Sequence, residues 1–208
     1  MKNRIIFIFF IVYFTAICSE NIFSQEKPAH PKKWHVDSAE QFYVNRLSPV
    51  YLRISTSPDE KSETVLLTSK SSEEYSNPMY FDAEGRNTVR SPWAVDTTTK
   101  KIKYPIEDIV FEVYADALPP VTYIQLEPNP VRRSGNTYYC KKGTELFFKT
   151  YDGMAGTQAT YYSLDNQQFK EFSSKIILSE QKEYTVKYYS VDYCGNDEKL
   201  NTKKIKIQ

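Results

Sequence analysis

The chain has 208 residues, with 27 Lys and Arg against 26 Asp and Glu, 17 Tyr and 12 Phe, and only 6 Gly. Near-neutrality argues against nucleic acid or an anionic membrane as partner, since both demand a basic face. Tyr, Phe, Thr, Val and Ile suit pleated, half-buried surfaces, so the composition points to an all-β chain.

Residues 1–24 read as a signal peptide. Lys2 and Arg4 give a positive start, residues 5–17 form an apolar run of 13, and Glu20 closes it. That run falls short of the roughly 20 residues of a spanning helix and has the length of a leader's apolar region. Ile22-Phe23-Ser24 places cleavage after Ser24. The rival readings are lipid anchoring through Cys18, which follows the bulky Ile17, and an uncleaved anchor. The remaining chain carries 25 basic and 25 acidic residues and no second run long enough to cross a bilayer.

Residues 25–33 are rich in Pro and Lys and read as a flexible spacer. Trp34 opens a first unit. Its predicted strands are 42–44, 49–55, 64–67, 79–81, 87–95 and 109–114, the second and last with clean period-two alternation. Residues 115–121, with Pro119 and Pro120, mark a semi-rigid boundary. The second unit has predicted strands at 146–151, 160–164, 176–178, 184–191 and 203–207, punctuated by Asp152-Gly153, Asp165-Asn166 and Gly195-Asn196. Many short strands with regular turns predict antiparallel sandwiches: two tandem Ig-like domains at 34–118 and 119–208.

The two units share a register of 96 residues. Phe42-Tyr43-Val44 returns as Tyr138-Tyr139-Cys140, and Val95-Asp96 as Val191-Asp192. Such a register signals duplication. Thr88-Val89 lies one residue farther from Val95-Asp96 than its counterpart does in the second copy, and a β-bulge near Pro92 would absorb the surplus.

Thr160-Tyr161-Tyr162-Ser163-Leu164-Asp165, then Phe169, Ile176-Ile177-Leu178, Tyr184-Thr185-Val186 and Ser190-Val191-Asp192 with Gly195-Asn196, resemble bacterial Ig-like repeats of the OmpL47 type over residues 140–208. The first unit lacks the Tyr-Ser-Leu-Asp and Gly-Asn stretches. It is similar, more loosely, to the N-terminal part of exported Bacteroidetes-type proteins that carry these repeats. The resemblance implies an extracytoplasmic, non-catalytic β-sandwich, periplasmic, cell-surface or secreted, and supplies no catalytic residues.

Cys140 and Cys194 fall on Val44 and Thr98 of the first copy, so the second copy gained two cysteines. In an exported domain such a pair suggests a disulfide; the alternative is two free, partly buried thiols. Asp152, Asp165, Asp192, Asp197 and Asn196 lie at predicted strand ends, where clustered oxygens can hold Ca²⁺, although turn chemistry explains them equally. No cofactor is otherwise implied. His30 and His35 have no cysteine nearby in sequence, against a zinc site. Tyr161, Tyr162, Tyr188, Tyr189 and Tyr193 offer rings for stacking on sugars, with one ring of each doublet turned outward; cross-strand packing is the alternative. Asp96 and Asp192 recur and read as turn-capping carboxylates. No GxSxG, HExxH, P-loop or Rossmann pattern occurs, so no enzyme is expected. The expected function is a non-catalytic binding or assembly module of the cell envelope, its partner an envelope protein or, alternatively, a cell-surface polysaccharide held by the tyrosine face.

Overall fold

The computed structural model describes residues 27–51, 53–55, 64–66, 80–91, 98–99 and 109–208. Residues 1–24, read from the sequence as a leader cut after Ser24, and Pro92 and Asp96 lie outside the described residues. These contain fifteen strands and no helix: β1 Trp34–Val36, β2 Phe42–Asn45, β3 Arg53–Ser55, β4 Thr64–Leu66, β5 Gly85–Ser91, β6 Ile109–Asp116, β7 Val121–Glu127, β8 Arg132–Ser134, β9 Thr137–Cys140, β10 Thr144–Tyr151, β11 Thr157–Leu164, β12 Lys170–Glu171, β13 Ile176–Leu178, β14 Glu183–Asp192 and β15 Asn201–Ile207. The all-β expectation holds.

The C-terminal strands form two facing sheets, ordered β13-β10-β7 and β12-β11-β14-β15-β9-β8. Period-two alternation explains their core. Leu146 and Phe148 of β10, Leu126 of β7 and Leu178 of β13 point inward from one sheet. Tyr184, Val186 and Tyr188 of β14, with Ile205 and Ile207 of β15, point inward from the other. At one end the interior turns polar. Thr122, Thr160 and Ser190 are buried there, and their hydroxyls bond one another at 2.6–2.8 Å.

The N-terminal strands form a sheet β1-β2-β6-β5 and a separate antiparallel pair β3-β4. The sheet repeats the order β8-β9-β15-β14. In each group one inner pair is parallel, β2 with β6 and β9 with β15. Val44 faces Ala115 as Cys140 faces Ile207, and Val89 faces Phe111 as Val186 faces Lys203. The two groups thus share strand order and pairing, at offsets of 96 residues for Val44 and Cys140, 92 for Ala115 and Ile207 and 97 for Val89 and Val186. The N-terminal core is small: Val44, Val89, Val113 and Ala115, with Phe42, Val50 and Phe81 against it.

Two departures from the sequence reading matter for the site. The run read as a boundary keeps residues 117–120 as the connection: β6 continues to Asp116, and β7 starts at Val121 as a strand the sequence reading did not place. Residues 27–33 do not stand free as a spacer. They lie as a strap along the outer face of β14, where Tyr189 and Val191 are fully buried although alternation turns them away from the sandwich core. The strap passes so near the turn after β14 that a Cβ on Gly195 would stand 2.1 Å from the Pro31 carbonyl oxygen. Gly195 also has φ +77°, so the turn and the close approach both require glycine there.

Candidate functional site

The two groups of sheets meet at a buried junction. Tyr43 and Tyr114, opposite each other in β2 and β6, pack against Met154, Ala155 and Cys194 of the C-terminal unit. Polar groups flank this contact. Asn45, fully buried at the end of β2, donates to Cys194 O at 3.1 Å and to Asn196 Oδ1 at 2.6 Å. Asn196 in turn donates to Asp116 O at 3.2 Å and to Asp192 Oδ2 at 2.7 Å.

Three carboxylates converge here. Asp116, Asp152 and Asp192 each bring one oxygen to within 4.8 Å of the others. Asp116 ends β6, Asp192 ends β14, and Asp152 follows β10, so all three arise where strands of both units run out. Burial, with Asp192 and Asp152 adding repulsion, lifts the Asp116 carboxyl to about 7. Burial raises Asp192 as well, against the hydrogen bonds it accepts from Asn196. The cluster brings together two of the four carboxylates expected around a cation, Asp152 and Asp192, and adds Asp116, which the sequence reading had placed in a boundary. Both oxygens of Asp116 already accept, from Leu118 N and Ala155 N, and both of Asp192 accept from Asn196. Asp152 Oδ1 accepts from Met154 N and Gly156 N. A calcium ion needs six to eight oxygens. The three carboxylates hold six, of which five already accept hydrogen bonds from the chain's own N–H groups.

The other two candidate carboxylates lie elsewhere. Asp165 accepts from Thr185 N and pairs with Lys182 near the start of β14, at the far end of the sandwich. Asp197 sits beside the strap, 3.7 Å from Lys27 Nζ and 3.9 Å from His30 Nε2, and its buried Oδ1 has no hydrogen-bond partner.

The cysteines do not form a disulfide. Cys140 is paired with Ile207, level with the start of β14, whereas Cys194 follows the end of β14. A ten-residue strand separates those levels by about 30 Å, where a disulfide requires Cα atoms roughly 4.4–6.8 Å apart. Both are buried free thiols. Burial, with the three carboxylates adding to it, pushes the Cys194 thiol up to about 12.

The tyrosines alternate as expected. Tyr188 is buried in the core, and Tyr162 packs against it. Tyr161 and Tyr189 turn to the outer face and stack at 5.3 Å. That face is covered. The His30 ring lies 5.2 Å from Tyr161, and its Nε2 is 3.3 Å from the Tyr189 hydroxyl. Lys27 Nζ stands 4.5 Å over the Tyr189 ring and donates to Glu198 O. Tyr193 stacks on His35 at 4.3 Å. The rings offered for sugars are therefore largely occupied by the chain's own N-terminal segment.

An open surface lies on the β13-β10-β7 sheet, and the sequence reading missed it because it missed β7. Its outer face presents Val121, Tyr123, Tyr151 and Ile177, at 46%, 62%, 70% and 57% exposure. Val121 stands opposite Tyr151 and Tyr123 opposite Lys149.

The sequence matches no protein-family model, and comparison with curated proteins finds no match.

Proposed function

We propose that the chain is exported and serves as a non-catalytic binding or assembly module of a bacterial cell envelope, acting through protein contacts. In this reading it is two tandem Ig-like sandwiches. The sheet orders support it: β7, β10 and β13 stand as A, B and E strands, and β12, β11, β14, β15 and β9 as C′, C, F, G and A′. So does Tyr184 near the start of β14, whose hydroxyl accepts from Glu180 N at 3.0 Å. That contact matches the tyrosine corner of such folds. The resemblance of residues 140–208 to OmpL47-type repeats belongs with the same reading.

The observation that carries the function is the exposed trio Val121, Tyr123 and Tyr151, neighbours at one end of the outer face of β7 and β10. Contiguous apolar and aromatic exposure marks interaction surfaces, and tyrosine is enriched in them. The alternative, carbohydrate binding through Tyr161 and Tyr189, requires the strap to leave first. A photo-crosslinking residue at Tyr151 or Tyr123, with Lys142 as control, separates the two in expressing cells. The expected result is a protease-sensitive adduct at Tyr151 and Tyr123 and none at Lys142. Absence of adducts, or adducts that resist protease, would overturn the reading.

A further inference from the structure

We propose, resting on the protein-contact reading above, that the free edge of β7 takes an extended acidic segment of a partner protein as an added strand. Among the described residues β7 pairs with β10 on one side only. Its other side borders an open groove of about 500 Å³ between the two sheets, where Arg133 of β8, Tyr138 of β9 and Asn201 and Lys203 of β15 form the opposite wall. Both sheets end on this side of the sandwich.

The direction of the main chain can be read from one contact. Thr122 N donates to Glu198 Oε1 at 3.0 Å, so this N–H points away from β10 and into the groove. In an antiparallel pair the residues alternate between bonding the neighbour and facing away from it. Ile124 and Leu126 therefore turn their N–H and C=O groups to the same side as Thr122. Thr122 is capped by Glu198. Ile124 and Leu126 have no strand beside them among the described residues. Leu126 is buried, main chain included, whereas Ile124 is half-buried with its side chain against the core, so the main chain that the edge offers a partner lies at Ile124, the requirement for strand addition.

The charges choose the occupant. Arg133 and Lys203 line this groove, and Lys149 lines the adjoining hollow beside Tyr123 to Leu126. None of the three forms an ion pair among the described residues. Lys203 Nζ donates to the neutral Asn136 Oδ1, and the Arg133 guanidinium lies 5.2 Å over the Tyr138 ring. The one carboxylate in the groove is Glu198. It is fully engaged: Oε1 accepts from Thr122 N and Asn201 Nδ2, and Oε2 from Thr122 Oγ1 and Ser190 N. Three cations without acid partners beside open strand main chain suit an extended segment carrying Asp or Glu. Rim cations of this kind act chiefly on encounter rate and selectivity.

The test uses the full mature chain and a set of ten-residue peptides alternating Val, Thr or Tyr with Glu, with Lys-for-Glu peptides as controls. Amide hydrogen exchange and binding are read together. An acidic peptide should slow exchange at Ile124 at least tenfold, and the basic controls should not. Arg133→Glu with Lys203→Glu should weaken the acidic peptide at least tenfold and admit the basic one. Binding without protection of Ile124, or no acidic peptide binding at all, overturns the edge proposal. If crosslinks at Tyr151 persist in that case, the protein-contact reading stands; if they are also absent, both fall.

Discussion

Asn45 of the N-terminal sheet donates its side-chain amide to Asn196 Oδ1 of the C-terminal unit at 2.6 Å, with both residues buried. The two side chains lie 151 positions apart in sequence, and they close a chain of bonds that runs from Leu47 N through Asn45 and Asn196 to Asp192. Around it lie the Tyr43 and Tyr114 contacts with Ala155, Met154 and Cys194. The units are therefore fixed to each other by a packed and hydrogen-bonded joint.

Asn45→Ala removes the donor to Cys194 O and Asn196 Oδ1, which keep bonds from Lys33 N and Lys32 Nζ, and removes the acceptor of Leu47 N. Each lost bond is worth about 0.5–1.5 kcal/mol, so a loss of about 2 kcal/mol in urea unfolding is expected. Asn45→Asp keeps the acceptor for Leu47 N but sets a carboxylate against Asn196 Oδ1, and should be worse. A loss under about 0.5 kcal/mol for the alanine variant would show that the joint does not depend on this contact.

Gly195→Ala tests the strap. The added methyl meets the Pro31 carbonyl at 2.1 Å, and the backbone at φ +77° disfavours any side chain. Strain where the native φ is incompatible exceeds the roughly 0.4–1 kcal/mol that a compatible Gly→Ala change gains, so destabilisation beyond about 1 kcal/mol is expected. The strap should lift, since Lys33 N to Cys194 O and Lys32 Nζ to Gly195 O hold it at this turn. Limited trypsin digestion should then cut faster after Lys32 or Lys33. Nitration of Tyr161, stacked under His30, should rise in parallel. Unchanged cleavage and nitration would mean that the strap does not depend on this turn.

Much of this fold is legible because local pattern and environment agree. In β10, Leu146 and Phe148 go inward and Lys149 outward, as their hydropathy demands. β7 escapes because its pattern is inverted: Thr122 is buried while Val121 and Tyr123 are exposed. Thr122 tolerates burial only through Glu198 and Ser190, residues remote in sequence. The strap escapes for the same reason, since Lys27, His30 and Lys32 are held by groups 159 or more positions away. Composition alone made that run a spacer. Of the acidic site, Asp152 and Asp192 were visible as strand-end carboxylates. Asp116 was not, because nothing local marks it as the end of a strand that abuts another unit. The disulfide expectation failed on direction: sequence shows two cysteines gained together, but not that β14 carries them to opposite ends.

The acidic junction makes stability depend on pH with an uncommon sign. The Asp116 carboxyl is raised in the folded chain from 3.8 to about 7. Below about pH 4 both folded and unfolded chains hold its proton, and the contribution is complete. Between about pH 4 and 7 the folded chain keeps a proton that the unfolded chain has lost, so this contribution declines as pH rises and is gone above about pH 7. Asp116 sits against Asp192, so the slope belongs to the coupled pair. Melting temperatures from pH 5 to 8 should fall less steeply in Asp116→Asn, which stays neutral throughout. EDTA or millimolar Ca²⁺ should leave them unchanged. An equal slope in the variant would show that Asp116 does not set the pH dependence, and a rise of several degrees with Ca²⁺ would assign the cluster to a cation.

Cys140 and Cys194 should behave as two unconnected thiols. Oxidised, denatured protein spanning residues 25–208 should titrate two free thiols per chain, and dithiothreitol should leave the melting temperature unchanged. In the native state both should resist alkylation, because only the thiolate reacts and burial raises both groups, Cys194 to about 12. Gly195→Ala supplies a positional check: by lifting the strap it should expose Cys194, whose carbonyl accepts from Lys33 N, and leave Cys140 as slow as before. Equal acceleration of both would point to global unfolding, and a count of zero free thiols would restore the disulfide.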